Sequence, residues 1–178
     1  MFKQLKLENF TAFKCAQFDW VPGVNVLIGA NGTGKTHIMK LIYALQMEGH
    51  DKQALKKKLA TVFRPSGGRV SRLVNRKRGS SAAQVSLQTT DNQSLSLVFD
   101  TTKHQTFDLK GRWNVERSPV FIPVKEVLSF APGFISLYDK YELAFEEIYY
   151  DIIKQAYLPA RKGMPLKDEQ PLLDFIRK

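Results

Sequence analysis

The sequence predicts an α/β fold, a mixed sheet built around one helix and continued by an antiparallel β meander. Three observations carry the prediction. Two strand-patterned segments, Phe2 to Leu7 and Phe13 to Trp20, come before anything else in the chain. The β-branched run Val24-Asn25-Val26-Leu27-Ile28 then leads through a glycine-rich turn into a segment of helical periodicity. Short alternating runs follow, separated by residues that favour turns.

The first two segments read as a hairpin with its turn near Glu8-Asn9-Phe10-Thr11. In the third, Val24, Val26 and Ile28 alternate with Asn25 and Leu27, the period of a strand with one buried face. Ile38, Leu41, Ile42 and Leu45 fall at i, i+3, i+4 and i+7, so a helix is expected from about Gly34 to Glu48. A second, basic helix is expected near Lys52 to Leu59.

The runs Ala83 to Thr89, Leu95 to Asp100 and Gln105 to Leu109 form the meander, with turns at Thr90-Asp91-Asn92 and Thr101-Thr102. Val120-Phe121-Ile122-Pro123 reads as a short buried strand ended by proline. An amphipathic helix is expected over Tyr141 to Tyr157, before Pro159. Its apolar face is Phe145, Ile148, Tyr149, Ile152, Ile153 and Ala156, and Glu142, Glu146, Glu147 and Asp151 lie opposite as a solvated face. Residues 1–178 are read as one lobe with four parts. These are strands, loop and first helix (1–50), a basic segment (51–82), the meander (83–117), and a strand with helices (118–178).

The turn Gly29-Ala30-Asn31-Gly32-Thr33-Gly34-Lys35-Thr36 matches G-x-x-x-x-G-K-[ST], the phosphate-binding P-loop. A triphosphate needs many donors at close range with no side chains in the way. Glycines let the backbone curl so that successive N–H groups point inward, and the helix that follows adds its free N–H groups and the positive end of its dipole. Asn31, Gly32, Thr33, Gly34, Lys35 and Thr36 are therefore the candidate ATP-binding residues. Lys35 reaches the β- and γ-phosphates and is the candidate catalytic group, acting electrostatically. The Thr36 hydroxyl is the candidate Mg²⁺ ligand. Lys35 is expected to face solvent and to be paired only by ligand.

The net charge of +10 arises entirely between Asp51 and Asp91, where ten bases stand without one acid, since the remaining residues hold 17 of each sign. Arg64, Arg69, Arg72, Arg76, Lys77 and Arg78 are candidate nucleic-acid contacts within a segment, residues 52–90, that suits DNA or RNA. A solvated basic face, or one that meets an acidic partner, is the competing reading, because few aromatic residues accompany the bases. No apolar run approaches the ~20 residues that span a bilayer, and Met1-Phe2-Lys3-Gln4-Leu5-Lys6 is unlike a signal peptide, so a cytoplasmic location is expected. Cys15, the one cysteine, is expected to be buried on an early strand. His37 faces nucleotide or solvent, His50 and His104 are isolated, and no spacing suggests zinc.

Two strands before the loop, Asn31 within it and a meander after the first helix together resemble the ABC-type ATPases. More narrowly, Leu5-Lys6-Leu7-Glu8-Asn9-Phe10-Thr11-Ala12-Phe13 followed by Asn25 to Thr36 resembles the start of the SMC, RecF and OLD-like branch. The stretch Phe121 to Ser129 is similar to segments of bacterial ATPases of that branch. The resemblance implies a head that sandwiches MgATP against a second head, a homodimer or a partner effector, in DNA repair or phage defence.

It also implies a distant strand ending in Asp-Glu and an L-S-G-G-Q-like signature. Leu95 to Asp100 mimics only the first, with Thr101 in place of the Glu, and neither feature is otherwise found, so hydrolysis is expected to need further sequence or another chain. Glu126 is placed either near the γ-phosphate or in a surface ion pair with Lys125. Two other readings stay open. One is a P-loop phosphotransferase using Arg64 to Arg78 as a mobile lid, and the other is a nucleic-acid-binding module with an idle nucleotide site.

Overall fold

The computed structural model describes residues 2–75, 79–102, 106–111, 119–123, 131–141 and 143–156. The hairpin is present as β1 (Phe2–Phe10) and β2 (Phe13–Asp19), with Phe10 opposite Phe13 and Thr11-Ala12 at the turn. The meander is β3 (Ala82–Thr89), β4 (Ser94–Asp100) and β5 (Phe107–Gly111). These strands form one sheet, order β2-β1-β3-β4-β5, with every pairing antiparallel.

Alternation determines which face of the sheet is buried. Leu5 pairs with Leu87 and Leu7 with Val85. Val85 pairs in turn with Leu97, Leu87 with Leu95, and Ala83 with Phe99. All of these are buried, so the register stacks apolar rungs on one side while Lys6, Gln84 and Ser96 point to the other. Over the apolar side lie α1 (Lys35–Glu48), through Ile38, Leu41, Ala44 and Leu45, and α2 (Lys52–Phe63), through Leu55 and Leu59. Asp51 caps α2 by accepting from the Ala54 N–H, and Arg64 ends it in the left-handed region. Phe10 sits at the centre, edge-on to Phe63 and to Phe99. The α/β class and the antiparallel meander are thus both present.

Four expectations are corrected. Val24 to Ile28 forms no strand. Leu27 packs toward the core, while Val24, Val26 and Ile28 are 87, 73 and 91 % exposed, because no strand among the described residues runs alongside to supply a ladder. Val120 to Pro123 likewise forms no strand, and Ile122 is 80 % exposed, although Phe121 packs against Tyr43. Cys15 is exposed, being on the outward side of edge strand β2. The helix expected over Tyr141 to Tyr157 is shorter and has a companion. α3 (Ala131–Lys140) and α4 (Glu147–Ala156) are two separate helices, and Tyr157 lies outside the described residues.

The acidic face of α4 is also not the solvated face expected. Glu146, just before the helix, meets the buried Lys40 of α1 at 2.5 Å. Glu147 and Asp151 meet the buried Lys58 of α2 at 3.3 and 2.7 Å. Thr61 donates to Glu147, and Tyr43 donates to Asp151. Buried lysines keep their charge only if paired, so α4 is turned inward by the two cations beneath it. Glu142 lies outside the described residues.

Two predictions follow from this cluster. Lys58→Met leaves Glu147 and Asp151 facing an apolar side chain and should cost about 3 kcal/mol of stability in denaturant unfolding. Burial, and then the Asp151 carboxylate, raise the Tyr43 hydroxyl above its ordinary range. A raised folded-state value means that this stability is intact below pH ~10 and is lost as pH climbs above it. Tyr43→Phe should therefore flatten the alkaline part of the stability profile, measured by urea midpoints across pH.

Candidate functional site

Between Leu27 and α1 the chain makes the glycine-rich turn Gly29 to Gly34, with Lys35 and Thr36 opening the helix, and the local geometry follows from its glycines. Gly32 and Gly34 adopt φ of 81° and 96°, a region other residues resist. Gly34 is the residue at the helix start. A Cβ there would lie 2.7 Å from Cε2 of Phe13, so the β1–β2 hairpin presses directly on the loop. No side chain caps α1, and its first turn holds no acid. Among the described residues no side chain compensates its first N–H groups or its positive dipole end.

Lys35 differs from expectation. Its ammonium donates to the carbonyls of Gly29 and Ala30 at 2.6 and 2.7 Å, which folds the side chain back over the loop. Thr33 adds a third closure by donating to the Ala30 carbonyl. Both acceptors of Lys35 are neutral, so its charge remains to attract an anion. The Asn31 and Thr36 side chains are exposed.

The loop forms one wall of a cleft of about 810 Å³, shared with Trp20, Tyr43, Val120 and Ile122. Such a volume suits a small-molecule ligand. His37 lies at the junction with a second cleft of about 550 Å³, lined also by Thr11, Phe63, Arg72 and Asn75. Thr11 Oγ1 and His37 Nδ1 are buried there without a hydrogen-bond partner among the described residues. Burial, and then the Lys40 charge, lower the His37 pKa, so the ring is neutral near pH 7. Sequence reading missed this polar cleft because its residues come together only when 73–75 is stitched to the end of β1. The Thr11 N–H donates to Leu73, the Asn75 N–H donates to Asn9, and the Asn75 side chain donates to the Thr11 carbonyl.

The basic segment divides on folding. Lys58 is buried in the ion cluster. Arg64, a candidate nucleic-acid contact, donates instead to the carbonyls of Leu143 and Phe145. Arg69 and Arg72 are exposed, whereas Arg76, Lys77, Arg78 and Glu126 lie outside the described residues. Buried Val70, Leu73 and Val74 anchor the connection after α2, so this part of the chain is not built as a lid. Asp100, at the end of β4, accepts from the Thr102 N–H and hydroxyl and from the Thr106 N–H.

A hairpin ahead of the loop, the G-x-x-x-x-G-K-[ST] turn and an uncapped helix packed on an antiparallel sheet agree with a P-loop domain. The chain belongs to the AAA ATPase domain family, whose model matches residues 1–161. It is 36 % identical over 59 residues to the DNA replication and repair protein RecF of Moorella thermoacetica, covering 33 % of this chain and 16 % of that one. The RecF protein of Oenococcus oeni is 46 % identical over 43 residues, covering 24 % and 12 %.

The chain thus spans about a sixth or less of the length of these relatives. Among solved structures, the recombination mediator protein RecF with ATP aligns at a TM-score of 0.41 and 18 % identity, covering 75 % of this chain and 36 % of that one. RecF-ATPrS aligns at 0.39 and 18 %, covering 66 % and 28 %. No helix among the described residues is long and apolar enough to cross a membrane.

Gly34→Ala combines the strained φ with the contact against Phe13 and should lower stability by about 2 kcal/mol. Gly32→Ala, where a Cβ meets open space, should cost only about 1 kcal/mol. Thermal unfolding of the two variants side by side checks the order.

Proposed function

We propose that this chain is the MgATP-binding lobe of an SMC/RecF-like head that works on DNA, in repair or in phage defence. The observation that carries the reading is the uncapped, acid-free start of α1, set beside Lys35 in a cleft of ligand size. Asn31 to Thr36 would surround the phosphates with backbone N–H groups, and Lys35 would exchange its carbonyl partners for the β- and γ-phosphate oxygens.

Thr36 is the residue that would hold Mg²⁺, and its exposed hydroxyl fits that use. No group of three His, Cys, Asp or Glu gathers among the described residues, so phosphate oxygens and water would complete the shell. The cation would neutralise charge on the transferred phosphoryl group. Hydrolysis would need a carboxylate to orient water, supplied by residues outside those described or by a second head. The exposed Val24, Val26 and Ile28 beside the cleft support such a complement, since apolar residues of this kind normally lie against another strand. The anchoring of residues 70–75 weighs against a phosphotransferase lid.

Titration with a fluorescent ATP analogue tests the reading. Lys35→Ala should weaken binding at least about tenfold, since a hydrogen bond to a charged partner is worth roughly 1.5–3 kcal/mol. Thr36→Val should remove the gain in affinity on adding Mg²⁺. An unchanged dissociation constant in Lys35→Ala would sink the assignment. Turnover that rises with added DNA supports a head, while binding without turnover supports a nucleic-acid-binding module with an idle site.

A further inference from the structure

Folding brings to the basic segment the aromatic side chains of which its own sequence has few. After α2 the chain turns through Pro65 to Gly68, with Gly67 and Gly68 in the left-handed region. Facing this turn are Tyr138 of α3 and, from the connection to α4, Tyr141 and Phe145, which are 62 and 46 % exposed. Together they line a cleft of about 690 Å³. It adjoins a second cleft of about 340 Å³, lined by Lys56, Lys57 and Arg69, and the two share Ala60 and Gly68. Arg64 fixes the arrangement, because its bonds to the Leu143 and Phe145 carbonyls tie the aromatic connection to the end of α2. Glu147 and Asp151, the acids of α4, are held on Lys58.

We propose that the joined clefts bind single-stranded nucleic acid, with bases stacked on Tyr141 and Phe145 and phosphates along Lys57 and Arg69. The inference rests on reading the basic segment as a nucleic-acid surface, and it names the form of nucleic acid. Exposed rings beside cations match a ligand that presents base faces and phosphates alternately. A duplex hides those faces in its stack, and an acidic protein would use the cations but leave the rings uncovered.

The test is fluorescence anisotropy of a labelled oligothymidylate and of a duplex of the same length, using the full chain. Tyr141→Ala, at an exposed site, should weaken single-strand binding roughly fivefold or more while leaving its salt dependence unchanged. Tyr141→Phe should bind as the parent does, and duplex binding should change little. Lys57→Gln with Arg69→Gln should lower the slope of log affinity against log salt by about 0.7 per charge removed. Parental single-strand affinity in Tyr141→Ala, with binding still weakened in the Lys57/Arg69 variant, would overturn the stacking and leave the basic surface standing. Equal loss of duplex and single-strand binding in Tyr141→Ala would also overturn it. Binding of neither nucleic acid at low salt would remove both readings together.

Discussion

The aim of α1 is the constraint from which the cleft follows. A helix N-terminus attracts an anion only where its N–H groups point, so the helix must be held against rotation and tilt. Two chemistries hold this one. Ile38, Leu41, Ala44 and Leu45 are pressed on the sheet, and on another side Lys40 and Tyr43 are tied to Glu146 and Asp151. The first grip is non-directional, whereas the second fixes an azimuth, since ion pairs and hydrogen bonds tolerate little rotation. The Phe13 ring against Gly34 adds a stop at the tip.

Periodicity made the elements legible because each buries one face on a regular lattice. β1, β3, β4, α1 and the start of α2 all show that pattern, and the glycine loop announced itself by spacing. Faces were harder. In Val24 to Ile28 the alternation marked two sides without saying which turns inward, and the structure turns in Leu27 rather than the valines. On α4 the acids looked solvated because their partners lie 86 to 108 residues away in sequence. A signal was nevertheless present on α2, since Lys58 falls within the apolar stripe of Leu55, Leu59 and Val62, where an unpaired cation is not tolerated.

The basic segment shows why a charge run cannot be read as a single surface. Of its bases among the described residues, Lys58 is interior, Arg64 serves carbonyls, Lys52 pairs with Asp108, and Lys56 lies over the Phe107 ring. Lys57, Arg69 and Arg72 are turned to solvent. Charge that is uniform along the sequence becomes a mixture of struts and free cations once the chain is wrapped round a core.

The outward-facing Val24, Val26 and Ile28 bear on how copies of this chain meet one another. They form an uncharged, β-branched run of the sort that adds edge to edge, and what opposes such encounters is the like charge of +10 on each molecule. That repulsion reaches about 10 Å at 0.1 M salt and about 3 Å at 1 M. The ionic strength of the solution therefore acts on colloidal behaviour through a segment that carries no charge at all.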